Sequence, residues 1–321
     1  MAVAELFRRV GLAEPPISQK SGQREVSNRR VEIIGGGLAG LLAAIELSKN
    51  GIEVAVLEAA GQFGGRARTR DVDGFLFNRG PHALYCNGAL KRELDRLGIP
   101  YSGGRSLSGA RQAIAVGKLH HLPTTLGSIV RTSLFSVRDK ISYTRIFKTV
   151  MDGATGSGSF ADWLDEQRVS PMVRSAVEAM GRLSSYVNGA ADVSARALLD
   201  QIRLTTAGTI YVDGGWVSLV NGLIEAARAS GVELNDKAPV AKVNCATGRL
   251  ELVLGNGETR KADAVIMAID PKAAAALVPE VTSLAREARE VRTVRANSGC
   301  GACRRKKTTS HLESTRLVSR P

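Results

Sequence analysis

Residues 30–69 read RVEIIGGGLAGLLAAIELSKNGIEVAVLEAAGQFGGRART, and this stretch decides the fold. A short apolar run enters the spacing G-x-G-x-x-G, which is needed where a strand turns abruptly into a helix. The three glycines permit the tight turn, the approach of the backbone to a phosphate, and close packing of helix on strand. We predict that the start of the helix faces a pyrophosphate. The candidate residues are Gly35, Gly37, Leu38, Ala39 and Gly40.

A helix and a second strand follow the glycine turn. Apolar residues on one broad face predict a helix from Leu38 onward, and Gly51 stands where a left-handed residue ends such a helix. The run from Ile52 to Leu57 then reads as a buried strand that ends in Glu58. A carboxylate there accepts hydrogen bonds from a ribose 2′-hydroxyl and repels the extra phosphate of NADP. The whole pattern predicts a dinucleotide site, whereas a lone glycine-rich turn would be a weak signal.

The chain continues past the acid into Gly64-Gly65-Arg66. With it, the stretch resembles the flavin-dependent amine oxidase superfamily, which includes the phytoene desaturase and protoporphyrinogen oxidase branches. The resemblance implies FAD as the cofactor, with Gly65 and Arg66 along its phosphate and ribityl region. The alternative for this arginine-rich stretch is a solvated basic loop.

Further matches to the superfamily extend to about Glu280. Residues 73–84 are similar to the segment that turns back to line the flavin, and residues 211–216 resemble the return of the chain into the FAD domain. Val240 lies in a segment that resembles the strand whose backbone contacts the adenine. The residues implied at the flavin lining are Gly80, Pro81, His82 and Ala83.

The fold class predicted is α/β, with a Rossmann-type FAD-binding domain over residues 30–85 and 207–291. A mostly helical substrate domain, incomplete in this chain, is expected as an insertion over residues 86–206. In the FAD domain, a hairpin with an Asn-Gly turn is predicted around Asn256, and a buried strand over 264–268.

The inserted segment shows helical spacing of its apolar residues. Arg182 and Tyr186 could face a substrate there, or could lie on an ordinary helix surface. The helices expected are 90–97, 160–168, 171–183 and 194–204.

The net charge of +13 lies mainly at the ends of the chain. Residues 1–30 hold six basic and three acidic groups, and residues 292–321 hold eight and one, so the middle carries only +3. We expect a disordered extension over 1–29 and a basic disordered tail over 292–321. A nearly neutral body argues against a specific nucleic-acid binder, since the run at 304–307 alone is a weak signal.

The C-terminal tail departs from the superfamily. The resemblance implies a second half that completes the substrate domain and ends in a Gly-Asp segment with a following helix. Residues 292–321 show neither feature. We therefore expect a C-terminally truncated product, most simply through a frameshift near residues 285–295, with a short paralogue as the alternative. Cys300 and Cys303 lack the further ligands of a zinc site, so no metal is predicted.

One stretch of the sequence bears on membrane contact. The stretch from Leu126 to Val150 comes nearest to a membrane span, but its charged residues exclude one. It reads as a helix of the substrate domain, with a basic amphipathic segment on a membrane surface as the alternative. Few cysteines suit a reducing cytoplasm, so we expect a cytoplasmic protein with or without membrane association.

These features predict an FAD-dependent oxidoreductase of the dehydrogenase, desaturase or amine oxidase type. Hydride would pass from a substrate C–H bond to the flavin, and the implied substrate is a small, lipophilic molecule. Of the histidines, His120 and His121 show no metal-ligand spacing and suit a loop or core role. The sequence assigns no catalytic residue and no oligomeric state. The alternative is a non-catalytic remnant that binds FAD weakly or not at all.

Overall fold

The computed structural model describes residues 29–79, 82–105, 112–115, 117–121, 123, 125–245 and 250–290. The predicted N-terminal extension, apart from Arg29, and the predicted C-terminal tail lie outside these residues. In chain order the elements are β1 Arg30–Ile34, α1 Leu38–Lys49, β2 Glu53–Leu57, a 3₁₀ turn Gly65–Ala67, β3 Thr69–Val72, β4 Phe75–Asn78, β5 Leu84–Tyr85, α2 Ala89–Leu97, β6 Gly103–Arg105, β7 Gln112–Ala115, β8 Lys118–His121, α3 Leu126–Arg131, α4 Val137–Met151, α5 Phe160–Glu166, α6 Pro171–Ser185, a 3₁₀ turn Ala190–Asp192, α7 Ala195–Thr206, β9 Thr209–Val212, α8 Val217–Ala229, β10 Glu233–Asn235, β11 Val240–Cys245, β12 Leu250–Leu254, β13 Thr259–Ala262, β14 Ala264–Met267, α9 Pro271–Leu277 and α10 Thr282–Glu290.

A parallel sheet in the order β10-β2-β1-β14 forms the centre of the α/β body. Strands β1, β2 and β14 are short and mostly apolar, as is usual for parallel strands that are covered on both faces. Helices α1 and α8 pack here, and Leu41, Ile45, Leu219 and Leu223 are fully buried with the strand residues. The α/β prediction for this body is confirmed.

A three-stranded antiparallel sheet, β11-β12-β13, packs beside the parallel one. Val243 and Leu252 share a core with Ile34 and Leu57 from the ends of β1 and β2. The predicted Asn-Gly hairpin joins β12 to β13, with the Asn256 side chain accepting the N–H of Glu258 over 3.0 Å.

The helical unit formed by α3 to α7 has a core of its own. Its buried residues include Tyr143, Phe160, Trp163, Val173 and Leu199. The three predicted helices from residue 160 onward are present, within two residues of the expected bounds. The stretch 126–150 is not one helix but two, α3 and α4.

The helix break has a local cause in the capping residues. Ser136 accepts the N–H of Asp139, and the Asp139 carboxylate accepts from Ser136, so a capping box starts α4. The same carboxylate accepts the hydroxyl of Ser170 over 2.6 Å, and Ser170 is the N-cap of α6. Asp139 thus joins the beginnings of two helices.

Of two smaller sheets, the one that contains β5 connects the helical unit to the α/β body. Strands β5, β9 and β6 pair in that order, and β3 pairs with β4. Gln201 of α7 donates to the Tyr85 hydroxyl over 2.6 Å. Leu94 of α2 and the following Ile99 are buried in the α/β core, whereas α3 to α7 pack on each other. The proposed boundary at residue 86 stays a prediction.

A charged network lies at the edge where the parallel strands begin. Glu32 is fully buried, and its Oε1 accepts from Arg30 over 2.8 Å and from Arg260 over 3.1 Å. Both arginines also bond Glu233, and Arg30 bonds Glu53. Burial opposes ionisation of Glu233, but hydrogen bonds from Arg260 and Arg30 outweigh it and hold its pKa below the usual value.

The helices of the described residues include none that is both long and apolar enough to cross a membrane.

Candidate functional site

The glycine turn lies at the opposite edge, where the parallel strands end. Gly35 follows β1 with φ +105°, and its N–H donates to the Leu57 carbonyl over 2.8 Å. A Cβ at this position would meet the Ala268 carbonyl oxygen at 2.7 Å. The position therefore requires glycine both for its backbone angle and for its neighbours.

Gly40 and Gly37 serve different purposes. A Cβ on Gly40 would lie 2.0 Å from the Gly35 carbonyl oxygen, so this glycine allows the helix to pack against the turn. A Cβ on Gly37 would meet nothing within 4 Å, and its φ of −77° suits any residue. Nothing in the described protein explains a glycine at position 37, which is the observation expected where a ligand approaches the backbone.

Helix α1 begins at this open space. Gly37 is its N-cap, with extended backbone and no side-chain cap, and its first turn carries no acidic residue. The first N–H groups of a helix, here at Leu38, Ala39 and Gly40, have no partner within the helix. They present the positive end of the helix dipole to an anion.

Glu58 stands at the end of β2, beside the turn. Its Oε2 accepts the N–H of Gly36 and its Oε1 accepts the N–H of Ala60, each over 2.9 Å. These two bonds fix the orientation of the carboxylate. Each oxygen keeps a second lone pair, so the group can still accept ligand hydroxyls.

A second glycine turn lies directly against the first. The Gly64 N–H donates to the Gly36 carbonyl over 2.7 Å, and Gly37 and Gly64 form an isolated parallel bridge. Gly64 and Gly65 both have positive φ, and a Cβ on Gly65 would lie 3.3 Å from the Gly37 Cα. The two glycine motifs are 27 residues apart in the sequence. In the structure they form one continuous surface beside the start of α1.

The segment after the second turn leads toward the predicted flavin lining. Arg66 is exposed, and its carbonyl oxygen lies 3.0 Å from Nε2 of His82. The His82 ring packs against Trp216, with ring centroids 4.6 Å apart. Ala83 is half-buried beside it. Gly80 and Pro81, also predicted here, lie outside the described residues.

Sequence reasoning missed the polar contacts that hold this segment to α8. The Asn78 side-chain oxygen accepts the hydroxyl of Thr69 over 2.7 Å and the N–H of Trp216 over 3.1 Å. Thr69 accepts the N–H of Val217 over 3.0 Å. These side chains cap α8 from another part of the chain, so no local sequence signal marks them.

The remaining predicted residues lie farther along the chain. Val240 begins β11 and packs half-buried against the antiparallel core. Tyr186 is half-exposed, with φ +61° at the end of α6. Burial, followed by the neighbouring Tyr85 and Tyr211, raises its pKa. Arg182 lies one turn earlier, 4.0 Å from Glu178, and lines a cavity of about 130 Å³ that Asn188 also borders.

The sequence pattern of the family described as flavin containing amine oxidoreductase matches residues 38–302. The chain belongs to this family. The description of this family contains the predicted cofactor class, flavin, and the predicted reaction class, oxidoreductase.

Individual relatives agree with the family. A carotenoid 3,4-desaturase from Haloarcula japonica is 25% identical over 289 residues, which cover 77% of this chain and 57% of the relative. A coproporphyrinogen III oxidase from Bacillus subtilis is 24% identical, with 80% and 63% covered. The crystal structure of an oxidoreductase from Methanosarcina mazei superposes with a TM-score of 0.65 at 22% identity, covering 81% of this chain and 65% of that one. The chain therefore spans about three fifths of the length of these relatives.

Proposed function

We propose that this chain binds FAD and forms the cofactor-holding part of an oxidoreductase that removes a hydride from a C–H bond of a small, lipophilic substrate. The observation that carries the proposal is the open space at Gly37, bordered by the helix N-terminus, the oriented Glu58 carboxylate and the second glycine turn. This arrangement suits the AMP half and pyrophosphate of a dinucleotide.

Each predicted residue has a proposed task in this site. Gly35, Gly37, Leu38, Ala39 and Gly40 form the pyrophosphate turn, and Gly65 and Arg66 continue along the phosphate and ribityl region.

The two ends of the cofactor have separate residues. Glu58 accepts the ribose hydroxyls, and Val240 lies along the adenine. His82 and Ala83, with Gly80 and Pro81, line the flavin. The contact between His82 and the Arg66 carbonyl supports this assignment because it joins the lining segment to the second glycine turn.

The protein's share of the chemistry is to bind and orient. When bound, FAD supplies the two-electron acceptor, so the chain itself needs no nucleophile. The β5-β9-β6 sheet and the Tyr85–Gln201 hydrogen bond hold the helical unit against the α/β body. We propose that Arg182 and Tyr186 of this unit face the substrate.

The substrate class rests on the relatives. A carotenoid 3,4-desaturase and a coproporphyrinogen III oxidase are both named for small-molecule substrates, and of the two the carotenoid is lipophilic. A lipophilic substrate of this kind is extracted from a membrane more readily by a protein that contacts it, so we also propose a peripheral membrane contact.

The direct test is reconstitution of the purified full chain with FAD, NAD⁺ or NADP⁺. We expect a yellow protein that quenches flavin fluorescence at stoichiometric FAD and binds neither nicotinamide cofactor comparably. A folded but colourless chain that FAD cannot reconstitute would overturn the proposal and would favour the non-catalytic remnant.

A further inference from the structure

The β7-β8 hairpin and helices α3 and α4 each expose a pair of large aliphatic side chains. Ile114 and Leu119 are direct cross-strand neighbours in β7 and β8. In α3 and in α4 the exposed residues are spaced four apart, so each pair shares one helix face. All six side chains are between 59% and 77% exposed. The six residues, which we call the aliphatic face, are Ile114, Leu119, Leu126, Val130, Val137 and Ile141.

The elements that carry this face are joined to one another. Lys140 of α4 donates to the carbonyl of Val130, the penultimate residue of α3, over 2.7 Å. Thr132, just after α3, donates to the carbonyl of His121 at the end of β8 over 2.8 Å. Tyr143 of α4 donates to the carbonyl of Pro123. The aliphatic pairs are therefore displayed on a connected region rather than on independent loops.

The charge around the aliphatic face is positive. From Lys118 in β8 to Arg138 in α4 the sequence contains three basic residues and no acidic one. Arg131 and Arg138 are exposed at the end of α3 and the start of α4. The next acid, Asp139, is turned to the two helix starts, where hydrogen bonds from Ser170 and Ser136 hold its pKa below the usual value.

We propose that the aliphatic face and its surrounding cations form a docking surface for an anionic lipid bilayer. Exposed aliphatic side chains can enter the boundary between headgroups and acyl chains, while neighbouring Lys and Arg attract anionic headgroups. A second copy of the chain is a poorer occupant, because two such faces would bring like charges together. The docking surface rests on the membrane contact proposed above but not on bound FAD, so vesicle binding can fail while FAD binding succeeds, and the reverse.

The test is co-sedimentation of the full chain with phosphatidylcholine vesicles, with and without phosphatidylglycerol. We expect binding to the anionic vesicles, weakened by salt. Replacing Val137 and Ile141 by serine should lower partitioning about tenfold or more, since two apolar side chains no longer enter the interface. Replacing Arg131 and Arg138 by glutamine should lower it about fivefold for each removed charge, on anionic vesicles alone.

A matched variant separates a specific surface from general stickiness. Phe75→Ser/Phe77→Ser removes two exposed apolar side chains, 69% and 46% exposed, from β4 on the α/β body, and should leave partitioning unchanged. Equal losses in this control and in V137S/I141S would overturn the proposal. So would sedimentation velocity showing that V137S/I141S abolishes self-association while vesicle binding persists.

Discussion

Gly64 donates its backbone N–H to the Gly36 carbonyl over 2.7 Å, which locks the second glycine turn onto the first. The bond places the Gly64-Gly65-Arg66 segment beside the start of α1 and beside Glu58. The residues that distinguish an FAD pattern from a general dinucleotide pattern are thus adjacent to the phosphate turn in space, although 27 residues separate Gly64 from Gly37.

Replacing Gly64 with alanine should damage both the fold and the site. Its φ is +106°, and a Cβ would lie 3.0 Å from Val220. We expect a loss of about 1–2 kcal/mol from the backbone strain alone, measured by urea unfolding, and weaker FAD binding. Gly231→Ala, between α8 and β10, is the matched control, because φ there is +79° but a Cβ meets nothing within 4 Å. Equal FAD affinity in the two variants would contradict the role of the second turn.

Glu58→Gln should weaken FAD binding while leaving the fold intact. The amide can accept only one of the two backbone N–H groups that the carboxylate accepts, and it loses the charge offered to the ribose. Hydrogen bonds to charged groups contribute about 1.5–3 kcal/mol, so we expect a ten- to hundredfold rise in Kd by fluorescence titration. Glu53→Gln, on the opposite edge of the sheet, should bind FAD like the parent. An unchanged Kd for the Glu58 variant would remove this residue from the site.

Arg260→Met should destabilise the α/β body by about 3 kcal/mol, because the buried Glu32 carboxylate loses one of its two arginines. Chemical unfolding measures this loss in the free energy of unfolding. Arg96→Met removes an exposed arginine that pairs with Glu46 and Glu93, and should cost less than about 1 kcal/mol. If both variants lost the same stability, the buried network would have no special structural role.

Acid should weaken the helical unit through Asp139. Its pKa is lowered in the folded chain by Ser170 and Ser136, so its contribution is present above the ordinary value near 4 and is lost as pH falls through the folded value. We expect unfolding free energy to fall below about pH 4 in the parent, and less steeply in Asp139→Asn. Glu166→Gln, an exposed carboxylate at the end of α5, is the control. If the unfolding free energy depended on pH in the same way in the parent and in Asp139→Asn, Asp139 would not be the group that couples stability to pH.

Local patterns predicted much of the α/β body. The strand, glycine turn, helix and second strand through Glu58 follow from short-range spacing, as does the Asn256 hairpin. Asp270 before Pro271 is a typical pair of N-cap and first helical residue. In the structure the Asp270 side chain caps α9.

Other features depend on long-range contacts and left no local signal. Strands β5 and β9 are two and four residues long and lie more than 120 residues apart in the chain, so no periodicity could reveal their pairing. Glu32 reads as an isolated charge inside an apolar strand until the two arginines are brought to it. The Asn78 and Thr69 contacts with α8 likewise appear only in the folded chain.

The most direct test compares two alanine substitutions in the first glycine turn. Gly37→Ala adds a methyl group to open space at an ordinary φ, so the free energy of unfolding should fall by no more than the ~1 kcal/mol of an altered N-cap. Gly40→Ala forces a Cβ to within 2.0 Å of the Gly35 carbonyl and should unfold the body. Gly127→Ala, on α3, also adds a methyl group to open space and serves as the control.

The FAD affinity of the folded Gly37→Ala chain tests whether the first glycine turn holds the pyrophosphate. We predict a Kd raised at least about tenfold over the parent and over Gly127→Ala, because the methyl group occupies the place of the pyrophosphate. A stably folded Gly37→Ala chain that binds FAD as tightly as the parent would contradict the account.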